Sequence, residues 1–230
     1  MAQAVRLACA NRHANCQMEV FSLRGLSDAE AGLCISGMPS HAIVIDFTHE
    51  AALHRLLELS SSAPFSLITG TSGLHPEHYA LLRQRAEHSA VLSVGNFSMG
   101  ALLAKAQIEL AASFAQKLGG WEAAVVDLHH SEKADSPSAT AISWRDAWES
   151  RVEDSAAPIS SLRMGDGVSE HLFVAAGAGE RIEVTHRLLN RSSSAAGVMI
   201  GIGFIQSCPA GLYHEDSLIN FVMQRESDEA

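Results

Sequence analysis

The run Ala42-Ile43-Val44-Ile45-Asp46-Phe47 decides how the first part of this chain folds. Apart from Asp46 it is continuously apolar, which is typical of a strand that is buried on both faces of a sheet. The residues that follow, from Glu50 to about Leu59, predict a helix, and Thr48 can cap its first turn. A doubly buried strand followed directly by a helix favours a parallel sheet with helices packed on its faces.

The same alternation of strand and helix continues to about residue 118. It is the pattern of a doubly wound, Rossmann-like parallel sheet, in which ligands bind at the carboxyl ends of the strands. Further strands are predicted at 18–23, 65–69 and 91–94, and helices at 2–13, 76–87 and about 99–118.

Three loops follow these predicted strands, at 47–48, 70–73 and 96–98. The loop Gly70-Thr71-Ser72-Gly73 is short and made of small residues. It is either a tight connection from strand to helix or a loop that lets the backbone approach a flat or phosphorylated ligand closely.

The segment 127–141 carries the residues that are best suited to chemistry. It follows an apolar run, 121–128, that predicts a strand, and Ser136-Pro137 predicts a helix start after it. Each feature alone is compatible with an ordinary strand end or helix start. Together they predict a cationic pocket that supplies a proton to a small substrate carrying carboxylates. The residues are His129, His130, Lys133 and the helix-start residues Ser138, Ala139 and Thr140.

The second half of the chain has a different pattern. Three predicted strands, at 160–164, 170–175 and 181–185, follow one another with only glycine-containing turns between them. Consecutive strands without helices predict a mostly antiparallel sheet, and therefore a second, α+β domain. An apolar helix is predicted at 192–205, and the polar tail at 224–230 is expected to fray.

Composition limits the class of protein. The 230 residues are 47% hydrophobic and 18% charged, which is typical of a globular protein. A formal net charge of -10 without a cluster of Lys or Arg argues against a nucleic-acid partner. We expect no membrane span and no signal segment, because no apolar run has the required length or place. Cys9, Cys16, Cys34 and Cys208 follow no metal-ligand spacing, which predicts reduced thiols, no metal site and a cytoplasmic protein.

Motifs along nearly the whole chain resemble those of the 4-hydroxy-tetrahydrodipicolinate reductase family, formerly called dihydrodipicolinate reductase, of bacterial lysine and diaminopimelate synthesis. The most specific is His129-His130-x-x-Lys133-x-Asp135-x-Pro137-Ser138-Ala139-Thr140-Ala141, which is similar to the family pattern H-H-x-x-K-x-D-x-P-S-G-T-A. Other similar motifs lie in the family's order at 45–48, 70–73, 96–100, 163–166 with 170–171, 179–187 and 211–213.

The resemblance implies a reaction, in which NADPH or NADH reduces a cyclic imine-type substrate carrying two carboxylates. His129 is similar to the general acid/base, and Lys133 to the proton donor beside it. A hydride added to a C=N bond requires a nearby proton, which this pair can deliver. The resemblance places the substrate carboxylates at His130, Ser138, Ala139 and Thr140, and the nicotinamide end of the cofactor at Gly70, Thr71, Ser72, Gly73, Asn96 and Phe97.

The resemblance also implies how the chain is organised. Residues 1–98 and 192–230 correspond to a discontinuous dinucleotide-binding domain, and residues 99–191 to a domain for substrate binding and oligomerisation, as in a homotetramer. Leu23 stands where an acidic residue often contacts the adenosine ribose. Arg24 beside it can instead meet a 2′-phosphate, which favours NADPH.

The chain departs from the family pattern at several points. The family's first strand and glycine-rich loop have no counterpart after Met1, so we expect the natural protein to carry about a dozen further residues before it. Ala139 replaces a glycine, and its methyl group is expected to crowd a bound carboxylate. Leu102 replaces a usual Asn, and the shorter segment 147–160 lacks a G-R-x-G motif, which bears on oligomer contacts.

Three functions are therefore compatible with the sequence. The first is a reductase of the diaminopimelate pathway, and the second is a reductase of another cyclic imine, which Ala139 favours. The third is a catalytically silent relative that binds a small dicarboxylate, which the absent phosphate loop favours. The presence of His129, His130 and Lys133 favours an enzyme, whereas the choice between NADPH and NADH and the oligomeric state stay open.

Overall fold

The structure, a computed structural model, describes residues 1–12, 18–153, 155–166, 169–190 and 192–224. The chain divides into two compact units, Met1–Phe97 with Ala195–Ala230, and Ser98–Ser194. Each unit contains a four-stranded sheet. Within the described ranges, no helix combines the length and the apolar character that crossing a bilayer requires.

The helices and strands follow one another largely as the sequence predicts. In chain order they are α1 (Ala2–Arg12), α2 (Asp28–Ser36), β1 (Ile43–Asp46), α3 (Glu50–Leu59), β2 (Ser66–Thr69), α4 (Pro76–Ala86), β3 (Ala90–Ser93), α5 (Met99–Leu118), β4 (Glu122–His129), α6 (Ala139–Glu149), β5 (Ile159–Arg163), β6 (Glu170–Gly177), β7 (Glu180–Arg187), α7 (Ser192–Gln206), β8 (Gly211–Tyr213) and α8 (Glu215–Gln224).

The sheet of the first unit is entirely parallel, in the order β1-β2-β3-β8. Its strands bury apolar side chains on both faces. Leu67 of β2 packs in a cluster with Leu53 of α3 on one face. On the other face α7 comes so close that a Cβ atom added to Gly201 would lie 3.1 Å from Leu92 of β3. Helices on both faces confirm the doubly wound sheet, with the ends of β1, β2 and β3 at one edge.

The sheet of the second unit is mixed, in the order β5-β4-β6-β7. Strand β4 pairs antiparallel with β6, and β6 antiparallel with β7, which confirms the mostly antiparallel prediction. Strand β5 pairs parallel with β4, because the chain returns through α6 between them. The face towards α5 and α6 is closed by a core that includes Ile108, Val125, Trp144, Trp148 and Phe173.

The strand predicted at 18–23 is wrong. The segment has no regular structure, and Val20 and Phe21 are 65% and 47% exposed. An apolar segment becomes a strand only where a neighbouring strand offers it a hydrogen-bonding partner. Among the described residues, β1 pairs only with β2.

The prediction of four reduced thiols is also wrong, because Cys9 is disulfide-bonded. Cys34 and Cys208 are free, as predicted. Disulfide formation depends on the distance between two Cα atoms in the folded chain, which spacing along the sequence does not show. The predictions for His13, Cys16 and the tail beyond Gln224 lie outside the described residues.

Candidate active site

The carboxylate of Asp127 lies at the centre of the candidate site, on β4. It is fully buried, and its Oδ2 accepts hydrogen bonds from the Ser138 amide at 2.9 Å and from Arg163 Nη2 at 3.2 Å. Burial alone would raise the pKa of Asp127, but the nearby Ser161 hydroxyl, Ser138 and Arg163 lower it below its ordinary value. Asp127 is therefore a buried anion that organises three neighbouring segments.

The imidazole of His129 ends β4 on the same face as Asp127. It is 5% exposed, and its Nδ1 lies 3.4 Å from Asp127 Oδ2, with no closer hydrogen-bond partner in the described part of the chain. Burial and the charge of Lys133 lower the pKa of His129 to about 4, although Asp127 opposes this shift. His129 is therefore neutral at pH 7. The nearby carboxylate favours the tautomer that carries its proton on Nδ1 and leaves Nε2 as an acceptor.

The ammonium group of Lys133 is the cation of the site. Its Nζ donates to Asp135 Oδ1 at 2.6 Å, and the side chain is 23% exposed. A turn places Lys133 after the partly buried His130, whose carbonyl oxygen accepts the Lys133 amide at 3.2 Å. Arg163 Nη2 also donates to the main-chain oxygen of Asp135 at 2.7 Å. One guanidinium thus fixes both the loop that carries Lys133 and the carboxylate beside His129.

The start of α6 differs from the prediction that Ser136-Pro137 opens the helix. The N-cap is Ser138, whose hydroxyl accepts the Ala141 amide at 3.2 Å, and the helix begins at Ala139. The Ser138 amide lies at the helix start that was predicted to bind a substrate carboxylate, but it donates to the protein's own Asp127 carboxylate. Ala139 and Thr140 are the first two residues of the helix, at the positive end of its dipole.

Two histidines to which the sequence had given no role lie beside this site. His171 on β6 is 1% exposed, its ring centroid is 5.1 Å from that of His129, and its Nε2 is 3.3 Å from Ser138 Oγ. Burial, with smaller effects of His129, His186 and Lys133, lowers the pKa of His171 to about 3. His186, its cross-strand partner on β7, has its pKa lowered by burial. Both imidazoles are neutral at pH 7, His171 in the buried face and His186 partly buried beside it.

In the first unit, Asp46 organises the strand ends where the cofactor loops were predicted. Its carboxylate accepts the hydroxyls of Thr48, Thr69 and Thr71 at 2.5, 2.8 and 2.6 Å. The Thr71 hydroxyl is thus used inside the loop. Gly70 permits close packing, since a Cβ there would lie 2.1 Å from a ring atom of Phe47. Ser72 and Gly73 are exposed at the tip of the loop, and Gly73 has φ +76°.

The remaining predicted cofactor residues differ in exposure. Phe97 is 1% exposed and packs edge-on against Phe47, with centroids 5.5 Å apart, so its side chain belongs to the core. Asn96 beside it is partly buried, and Arg24 is exposed in a turn. Arg55, which the sequence did not single out, fixes the segment around Arg24 through hydrogen bonds to the carbonyl oxygens of residues 23 and 26.

The predicted site residues are therefore divided between the two units. His129, His130, Lys133, Ser138, Ala139 and Thr140 belong to the second unit, and Gly70, Thr71, Ser72, Gly73, Asn96, Phe97 and Arg24 to the first. Sequence reasoning missed Asp127, Arg163, His171 and His186. A signal was present, since a carboxylate or an imidazole at an inward position of an apolar strand requires a polar partner.

Comparison with known proteins gives the same family for both units. Residues 8–97 match the family model described as "Dihydrodipicolinate reductase, N-terminus", and residues 99–219 match "Dihydrodipicolinate reductase, C-terminus". The chain is 33% identical over 186 residues to the 4-hydroxy-tetrahydrodipicolinate reductase of Xanthomonas euvesicatoria pv. vesicatoria (strain 85-10), covering 80% of this chain and 76% of that protein. It is 30% identical over 171 residues to the enzyme of that name from Thermosipho africanus (strain TCF52B), covering 74% and 75%.

A solved structure has the same fold. It is the dipicolinate-bound dihydrodipicolinate reductase from Paenisporosarcina sp. TG-14, with a TM-score of 0.63 and 19% sequence identity. The superposition covers 83% of this chain and 77% of that one. On the two family models and the curated relatives together, the chain belongs to the dihydrodipicolinate reductase family.

Proposed function

We propose that this chain reduces 4-hydroxy-tetrahydrodipicolinate, or the dihydrodipicolinate formed from it by loss of water, to tetrahydrodipicolinate in diaminopimelate and lysine synthesis. Its family consists of nicotinamide-dependent oxidoreductases. The observation that carries the proposal is the cluster in which Asp127 adjoins a neutral His129, with Lys133 in the next turn and the start of α6 beside them. This cluster combines an anion-binding helix start with a proton source.

The helix start and His130 would hold the substrate carboxylates. The first-turn amides and the positive end of the α6 dipole favour a carboxylate there. The Ser138 hydroxyl accepts the Ala141 amide and lies 3.3 Å from His171 Nε2, so its hydrogen is available for a carboxylate when His171 donates from Nε2. The methyl group of Ala139 lies at the first helical position and narrows the room for a carboxylate.

Lys133 would deliver the proton in this mechanism. The pKa of His129, at about 4, leaves too little imidazolium at pH 7 for it to be the acid in the free enzyme. The Lys133 ammonium already carries a proton, and Asp135 orients it. A neutral His129 can accept a hydrogen bond at Nε2 and hold the reacting ring or the lysine in place. The nicotinamide cofactor, NADPH or NADH, supplies the hydride when it is bound.

We propose the first unit as the dinucleotide-binding domain and the second as the substrate-binding and oligomerisation domain. The parallel sheet with loops at the ends of β1, β2 and β3 fits the nicotinamide half of such a cofactor. Ser72, Gly73, Asn96 and the main chain of Phe97 would contact it, and Arg24 favours NADPH through its 2′-phosphate.

The test is oxidation of NADPH and of NADH by the purified chain with freshly generated 4-hydroxy-tetrahydrodipicolinate. The variant Lys133→Gln should lower kcat by about 100-fold or more, because it removes the proton donor. The matched control is Lys117→Gln, an exposed lysine at the end of α5. If Lys133→Gln turns over at the rate of the control, Lys133 is not the proton donor.

A second candidate function rests on Ala139. If the wild-type chain binds NADPH yet does not turn over this substrate, reduction of a different cyclic imine with a smaller anionic group becomes the better proposal. If it binds a dicarboxylate but no nicotinamide cofactor, the catalytically silent, dicarboxylate-binding role replaces both.

The exposed face of the second sheet supports a homotetramer. The face of this sheet that points away from α5 and α6 carries apolar side chains on neighbouring strands, namely Val126, Leu128, Leu162 and Leu172. Of these, Leu162 is 48% exposed. An apolar sheet face of this kind is typical of a subunit interface. Light scattering of the purified protein would measure the mass, and a monomer would contradict the proposal.

A further inference from the structure

Four side chains of the second unit form a continuous chain of contacts that the proposed reaction does not use. Ser138 Oγ lies 3.3 Å from His171 Nε2, and His171 Nδ1 lies 3.5 Å from His186 Nδ1. His186 Nε2 then lies 3.1 Å from Ser98 Oγ. The two imidazoles are within 16° of coplanar, with centroids 5.7 Å apart, so their facing nitrogens meet edge to edge.

The chemistry of imidazole requires the hydrogen bonds along these four side chains to point in one direction. His171 is buried and His186 is partly buried, and burial lowers the pKa of each, so each carries one proton and one lone pair. Since their Nδ1 atoms face one another, one must donate and the other accept. The hydrogen bonds then all run either towards Ser138 or towards Ser98.

The contacts around Ser98 place the His186 ring specifically. Ser98 occupies the N-cap position of α5, yet its side chain makes no capping hydrogen bond, and its hydroxyl meets His186 instead. Gly100 lets the ring approach the helix, because a Cβ there would lie 3.0 Å from His186 Cδ2. A larger residue at this position would push the imidazole away from Ser98.

The direction of the chain changes what Ser138 can offer to a ligand. When His171 donates from Nε2, Ser138 accepts both this bond and that from the Ala141 amide, and its own hydrogen is free for a carboxylate. In the opposite direction the Ser138 hydrogen is used on His171. At the other end, Ser98 directly follows Asn96 and Phe97 in the chain, so the same reversal changes the hydrogen bonding beside that loop.

We propose that His171 and His186 are positioning residues that couple binding of the dicarboxylate at Ser138 to binding of the nicotinamide cofactor at the loop beside Ser98. This inference rests on the proposed function. A carboxylate that accepts from Ser138 selects one direction of the chain, and that direction presents Ser98 as a donor to His186. By thermodynamic reciprocity each ligand then changes the affinity for the other by the same factor.

The first test measures the Kd of NADPH with and without saturating pyridine-2,6-dicarboxylate, a planar aromatic dicarboxylate. We expect the dicarboxylate to tighten NADPH binding of the wild-type chain about 5- to 100-fold. Ser98→Ala, which removes no helix cap, should reduce this factor to below about twofold while each ligand alone binds within about threefold of wild type. The control is Ser113→Ala in the same helix, whose hydroxyl donates to the Glu109 carbonyl oxygen at 2.8 Å.

The second test reads the tautomers of the two histidines by nitrogen NMR. Opposite Nδ1 protonation of His171 and His186 is expected, with the dicarboxylate favouring Nε2–H on His171. Gly100→Ala should abolish this ordering.

Like tautomers in both rings, or a coupling factor that Ser98→Ala leaves unchanged, would overturn the inference. If the wild type binds both ligands but neither changes the affinity for the other, the inference is overturned and the proposed function stays intact. Binding of neither ligand would overturn both.

Discussion

Replacing Asp127 by Asn removes one negative charge from the centre of the site while keeping the size of the side chain. The carboxylate is fully buried and accepts hydrogen bonds from Ser138 and Arg163, with His129 at 3.4 Å. Both donors bond the same oxygen, Oδ2, so an amide oxygen in its place can keep both of them. It leaves the Arg163 guanidinium, which is 15% exposed, without its ionic partner.

The structure sets the size of both effects. Breaking a buried ion pair by removing one partner costs about 3–5 kcal/mol, and Arg163 keeps its bond to the Asp135 carbonyl oxygen, so we expect a loss of about 3 kcal/mol in unfolding free energy. The amide also no longer favours the Nδ1–H tautomer of His129. Because the contact is long, we expect kcat to fall about 10- to 100-fold, less than in a tightly bonded carboxylate–histidine pair.

Urea unfolding followed by tryptophan fluorescence would measure the first effect, since Trp144 and Trp148 are buried in the same unit. NADPH oxidation would measure the second. The matched control is Asp146→Asn, an exposed carboxylate of α6 paired with Arg145, which should change stability by less than about 0.5 kcal/mol. If Asp127→Asn behaves like this control in both assays, the reasoning that makes Asp127 the organising anion is refuted.

Three further predictions follow from burial and packing. The folded-state pKa values of His129 and His171, about 4 and about 3, lie below the unfolded value of about 6.5. As the pH falls through this range, the unfolded chain therefore binds more protons than the folded chain does. The stability contribution is complete above about pH 6.5 and falls by about 5 kcal/mol by about pH 4.5. Equal urea midpoints at about pH 7 and 4.5 would contradict this. In α7, Gly203→Ala meets no atom within 4 Å and should stabilise the protein by about 0.5–1 kcal/mol. Gly201→Ala in the same helix should destabilise it by about 1–3 kcal/mol because of its contacts with buried side chains. Thermal unfolding of the pair would show no difference in Tm if this packing argument is wrong. Finally, Gly70→Ala should displace the adjacent Phe47 ring and weaken NADPH binding about tenfold. Fluorescence titration would measure the Kd of NADPH. An unchanged Kd would mean that this loop does not belong to the cofactor site.

Much of the fold was predictable, because local patterns decide it. The apolar run at 42–47 produced a buried strand with helices after it, and the alternation along β4 and β6 produced a half-buried sheet. The segment 18–23 shows the limit of this reasoning. Its residues are apolar enough for a strand, but a strand also requires a partner along its edge, and that is a property of the assembled sheet.

The candidate site was predictable in its residue types and only partly in its geometry. His129, Lys133 and Ser138 were found because histidine, lysine and a helix start have recognisable chemistry wherever they occur. The charge state of His129 was not found, since the low pKa comes from burial and from neighbouring cations. The same holds for the Ser138 amide, which donates to Asp127 rather than facing outward.

The sequence by itself determined most of the order of the elements, the loops at the strand ends and the groups able to bind an anion and carry a proton. Each of these depends on a few neighbouring residues and their intrinsic chemistry. The tertiary structure alone decided that Asp127 meets Arg163, 36 residues away, and that Ser138 meets His171, 33 residues away. Such contacts arise from strand pairing and burial over the whole unit, and no local spacing encodes them.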